Sequence, residues 1–201
     1  MDYEDPYLKD RIETQFRPLL ALAKIDFSSV EYRWPTEVTR PDSDYELLLV
    51  PAALSLEKII RLYQEFGYKL HCAGLASVVD YKRYDSRSYA VWAKPTIYKG
   101  EAALVDFADE ERVAGSGYAL VRSRQRTMTL RERLIAGLAF ADRPDFLDRH
   151  CYTLCADTRC TMGSVDNQVP TVRADGHQGL LIGAIDSHQQ AENILGIKIF
   201  L

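Results

Sequence analysis

Three cysteines and a histidine crowd the stretch HCYTLCADTRC, which supplies His150, Cys151, Cys155 and Cys160. Thiolate and imidazole are the common ligands of zinc and the working groups of redox sites. The spacing, C-x3-C-x4-C, matches neither the paired C-x2-C knuckles of a zinc site nor the C-x-x-C of a dithiol site. Tyr152 and Thr153 favour an extended chain, and four residues of strand hold Cys151 and Cys155 about 13 Å apart at roughly 3.3 Å per residue. Two thiolates on one zinc, at about 2.3 Å each, must lie within about 4 Å of one another. Only a helical segment would bring the two side chains to one face. The expectation is therefore reduced, inert core thiols, with no metal and no cofactor.

Histidine offers a second pattern. His177 and His188 each follow an aspartate by two residues, in DGH and DSH, and on a strand such pairs share a face. Gly176 marks the first as a turn, and DSHQQ reads as a loop, so exposed turn residues are expected. An enzyme with a site assembled in space near His150, Asp175 and His177 is the alternative function. There is no G-x-S-x-G elbow, and GSG at 115–117 lacks both the third glycine of a dinucleotide fingerprint and the context of a P-loop.

Basic residues give a clearer asymmetry. VRSRQRTMTLRERL carries Arg122, Arg124, Arg126, Arg131 and Arg133 against one acid, Glu132. If the first part is extended, Arg122, Arg124 and Arg126 project from one face and lead to a helix start at Thr129, whose free amides also favour anions. The planar guanidinium fork suits phosphate and carboxylate. These four residues are the expected anion site. The acidic DFADEER at 106–112 would offset their charge if the stretch is simply a solvated strand end.

A second stretch, DYKRYDSRSYAVW, interleaves basic and aromatic residues. Tyr81, Arg83, Tyr84 and Arg87 are the expected partner-contact residues, since tyrosine and arginine dominate interface hot spots. Their alternative place is a loop whose rings tuck against a sheet edge.

These groups need elements to hold them. Asp5 and Pro6 open a helix whose face is Leu8, Ile12, Phe16, Leu19, Leu20 and Ala23, with a kink, or two short helices meeting near Arg17, expected because of Pro18. Residues 26–44 read as irregular. The run YELLLV, a helix capped by Ser55 and closed by Gly67, and YKLHCA make a strand, helix, strand unit near residues 45–73, suited to a parallel crossover. Strands are expected at SYAVWA, AALVDF and GYALVRS. Thr129 with Glu132 forms a capping box for the next helix. Beyond Pro144 a short helical turn is expected, then strands at YTLCA, QVPTVRA, GLLIGAI and GIKIF, with DGHQ as a hairpin turn. The expected class is α+β, with a mixed or largely antiparallel sheet and about three helices. Residues 1–201 are expected to form a single domain, with 1–25 as an N-terminal helical extension.

The 201 residues are 47% hydrophobic and 27% charged, the balance of a soluble globular protein. A net charge of -4 speaks against a general nucleic-acid binder, so nucleic acid is not an expected partner. No run is long enough to span a membrane, and MDYEDPYLKD lacks the basic and apolar regions of a signal peptide, which leads us to expect a cytoplasmic protein. Taken in order, YAVWA, TLRERLIAGLAFA, TLCADTR and VPTV resemble the layout of a group of uncharacterised bacterial proteins. The likeness implies a bacterial protein in which the capped helix and the C-terminal strands share one core, and it transfers no catalytic or binding role. The function expected is a binding or interaction protein that contacts an anionic ligand or a protein partner.

Overall fold

The computed structural model describes residues 6–34, 46–72, 74–80, 87–93, 129–141, 153–155, 158–175 and 179–186. Helix α1 runs Pro6–Leu22, and a short 3-10 turn, Phe27–Ser29, follows it. Strands β1 (Tyr32–Arg33) and β2 (Glu46–Val50) precede helix α2 (Leu56–Glu65). Next come β3 (Lys69–His71), β4 (Leu75–Asp80) and β5 (Ser88–Ala93). Helix α3 (Leu130–Ala139) leads to β6 (Thr153–Leu154), β7 (Thr158–Met162), β8 (Val165–Asp175) and β9 (Gly179–Asp186).

The architecture is α+β, as expected, with mixed sheets. The smaller sheet has the order β1-β5-β2, with β1 parallel and β2 antiparallel to β5. The larger has the order β3-β9-β8-β7-β4, with β6 also on β8, and is antiparallel except where β3 meets β9. In the β8–β9 pair Asp175 faces Gly179, which puts the expected DGHQ connection at a hairpin end.

The strand, helix, strand unit is present, but it is not a crossover within one sheet. Strand β2 pairs with β5, whereas β3 pairs with β9 in the other sheet. All five residues of β2 are buried, while Lys69 and His71 of β3 are exposed. A strand covered on both faces belongs between layers and one exposed on alternate residues belongs at a margin, so the two part company.

Helix α1 is continuous through Pro18, so the chain forms one helix here and not two short ones meeting near Arg17. Pro18 is exposed. The carbonyl that loses its partner therefore faces water, and burial of Phe16, Leu19 and Leu20 on the opposite face holds the helix together. In α2 the Ser55 side chain caps the Lys58 amide, and Ile59, Leu62 and Tyr63 point inward, while Phe66 is left outside. Strands β1, β4 and β7 were not anticipated. The strands expected at 102–107, 117–123 and 196–200 and the helical turn after Pro144 lie outside the described residues.

One buried cluster joins α1, β2, α2, β5 and α3 with Val172, Leu180 and Ile182 of the larger sheet. Helix α1 contributes Ile12, Phe16 and Leu20 to it, all without exposed surface. Among the described residues no helix is long and apolar enough to cross a membrane.

Candidate functional site

The ends of five elements meet at the first turn of α3. A helix start leaves backbone amides without intrahelical partners, and here the chain supplies acceptors for them. Thr129 and Glu132 form the expected capping box: the Thr129 amide donates to Glu132 Oε2 at 2.7 Å, and the Glu132 amide donates to Thr129 Oγ1 at 3.1 Å. The Leu130 amide donates to Thr158 Oγ1 of β7 at 2.8 Å. The Thr158 hydroxyl in turn donates to Asp80 Oδ1 at the end of β4. Strand β5 joins through Tyr89, whose hydroxyl donates to Glu132 Oε1 at 2.7 Å.

The loop after β2 closes the junction. Arg131 donates through Nε to the Leu54 carbonyl at 2.9 Å and through Nη2 to the Pro51 carbonyl. The Ala52 amide donates to Ser88 Oγ at the start of β5, at 2.9 Å. Deeper in the helix, Arg133 has no exposed surface and donates to Thr153 Oγ1 of β6 at 2.9 Å. The Tyr63 hydroxyl of α2 donates to the Leu134 carbonyl at 2.8 Å.

Burial sets the protonation of this group. Tyr89 is driven well above the usual phenol range, first by burial and then by the neighbouring Glu132 charge, so its hydroxyl is a fixed donor. Tyr63 is raised chiefly by burial. The half-buried Asp80 carboxyl is also raised: burial is the largest cause and the Glu132 charge adds to it, while the Thr158 hydrogen bond and Arg131 act in the opposite direction. Two acids, one phenol and one guanidinium thus share a mostly water-excluded site. Within it, burial and the Glu132 charge both favour a proton on Asp80.

Thr129 is the one residue of the expected anion site that is described. It faces inward, at 4% exposure, and the anion at this helix end is the chain's own Glu132 carboxylate. Arg122, Arg124 and Arg126 lie outside the described residues. Arg87 is exposed just before β5, and Tyr81, Arg83 and Tyr84 lie outside. Cys155 and Cys160 are buried and outside any disulfide, and burial pushes the Cys160 thiol up to about 11, so it stays protonated. His150, Cys151 and His177 lie outside the described residues, Asp175 ends β8, and His71 is exposed on β3. Among the described residues no group of three or more His, Cys, Asp or Glu side chains is arranged to hold a metal.

Sequence reading found Thr129 and Glu132 as a cap but missed their partners. Asp80, Tyr89 and Thr158 come from three strands, and no local pattern ties them to a helix that begins at residue 130. Compared with family models, with curated proteins and with solved structures, the chain matches none.

Proposed function

We propose that this chain is a binding protein that contacts an acidic segment of a protein partner through its two basic stretches, 81–87 and 122–126. The observation that supports this is the common anchorage of the two. The first stretch follows Asp80 and ends two residues before Tyr89, and the second ends three residues before Thr129. Thr158 links Asp80 to the Leu130 amide, and Glu132 links Tyr89 to the Thr129 amide. Two shared side chains therefore hold the flanks of both stretches at one junction.

The chemistry of the flanks favours a polypeptide over a free inorganic anion. Val79, beside Asp80, is 57% exposed, and Arg87 is exposed as well. Apolar surface and tyrosine side chains reward a partner with a body as well as a charge, and arginine supplies the forked contact to its carboxylates. Thr129 positions the second stretch and makes no ligand contact. On this proposal the protein works in the bacterial cytoplasm, where Cys72, Cys155 and Cys160 stay reduced.

Fluorescence anisotropy with a labelled peptide alternating glutamate and phenylalanine tests the proposal. The expected result is saturable binding that weakens with salt, drops at least ~10-fold in both R83A/R87A and R122A/R124A, and drops in V79D. H150A/H177A should bind as the wild type does. Absence of saturable binding, or equal binding by the arginine variants, would overturn the proposal. Loss confined to H150A/H177A would point instead to the site near His150, Asp175 and His177.

A further inference from the structure

We propose that the notch at the end of α1 is a binding site for a small aromatic carboxylate, with Lys24 as the group that takes its charge. The notch has a volume of about 310 Å3 and lies between the last turns of the helix and the 3-10 turn that follows, at the lower end of the range for small-molecule sites. Arg17, Ala21, Lys24, Ile25, Asp26 and Phe27 line it. Ile25 and Phe27 are half-buried and pack against the core cluster, so the apolar wall is fixed from behind.

The backbone at Lys24 sets this helix end apart. The Ile25 amide donates to the Leu20 carbonyl at 2.8 Å and the Lys24 amide to the Ala21 carbonyl at 3.0 Å, a double closure that puts Lys24 in the left-handed region, with φ 56°. Glycine is the usual residue there, because a Cβ crowds the backbone in that conformation. With the Ala23 amide on the Leu19 carbonyl, three of the last carbonyls are already served by the chain's own amides. The lysine side chain is therefore spared for the notch, and strain of this kind is a mark of ligand sites.

The neighbouring charges select the sign of the ligand. Arg17 is paired with Glu13 one turn earlier, and its guanidinium lies over the Phe27 ring, 5.6 Å from the centroid. Asp26 Oδ1 accepts from the Ser28 amide at 3.0 Å, and Oδ2 accepts from the Ser28 hydroxyl at 2.6 Å. Among the described residues Lys24 alone of these four charged groups is left without an ion pair or a side-chain hydrogen bond, and it is exposed. Its full charge exceeds the roughly half charge of opposite sign at a helix C-terminus. A carboxylate on Lys24 brings a flat ring against Ile25 and the stacked Arg17 and Phe27 pair. The site shares no residue with the two basic stretches, so it stands or falls apart from the peptide titration.

Titration of the full chain with phenylacetate, followed through the backbone amide resonances, tests the site. Saturable shifts centred on Ala21 and on residues 24–27 are expected, with 2-phenylethanol weaker by at least ~3-fold and 2-phenylethylamine weaker still. K24Q keeps the length and the backbone strain, and should lose ~3- to 10-fold in affinity with an unchanged urea midpoint. K24G relieves the strain, and should lose affinity while its urea midpoint rises. No saturable shift, shifts centred elsewhere, equal affinity for the alcohol or the amine, or full affinity in K24Q would overturn the site. A lower midpoint in K24G with phenylacetate binding intact would assign the lysine to the helix end and overturn it as well.

Discussion

Glu132 has no exposed surface, and it is tolerated there because a phenol hydroxyl and a backbone amide both donate to it. Truncating it removes the acceptor of two hydrogen bonds at once, so Glu132→Ala should cost ~3 kcal/mol in urea unfolding, against ~1 kcal/mol for Thr129→Ala, which loses one cap bond. Equal costs for the two would show that Glu132 acts as a cap and no more. Gly137 makes a sharper case. A methyl group there would sit 2.3 Å from the Tyr63 hydroxyl oxygen, so Gly137→Ala should destabilise by about 1–3 kcal/mol despite its better helix propensity. The same substitution in a Tyr63→Phe background should cost clearly less, and an unchanged cost would place the clash elsewhere. The capping residues were legible because a Thr-x-x-Glu pattern is local. The glycine was not, because what forbids its side chain is a tyrosine on another helix.

At the scale of elements, α1 shows how packing overrides a local rule. Pro18 removes a helix hydrogen bond, yet its ring faces solvent and the helix continues to Leu22. Pro18→Ala should therefore raise stability by about 1–3 kcal/mol, read as a higher urea midpoint with an unchanged slope. A fall in the midpoint would mean that the ring packs against something. Helices α2 and α3 were readable from Ser55 and Thr129 and from apolar spacing. Strands β4 and β7 were not. Strand β4 mixes exposed Ala76, Ser77 and Val79 with half-buried Leu75 and Val78, and its register breaks between Leu75 and Val78. A bulged margin strand lacks the alternation by which strands are recognised.

For the molecule as a whole, the test is whether α1 is an appendage or part of the core. Ile12, Phe16 and Leu20 lie in the same buried cluster as Trp92 and Leu134. Phe16→Ala should cost about 3–5 kcal/mol, and a chain lacking residues 1–22 should lose cooperative unfolding altogether. A truncated chain that still melts in one sharp step would show that the rest folds alone. The sequence by itself determined the α+β class, the capped helices, the long C-terminal hairpin and the burial of Cys155 and Cys160. Each of these rests on neighbours within a few positions or on side-chain hydrophobicity. Only the tertiary structure decided that β2 and β3 enter different sheets, that Glu132 fills the helix end offered to an outside anion, and that Asp80, Tyr89 and Thr158 converge there. Those outcomes depend on which distant strands come to lie side by side, and pairing across such separations leaves no periodic trace in the chain.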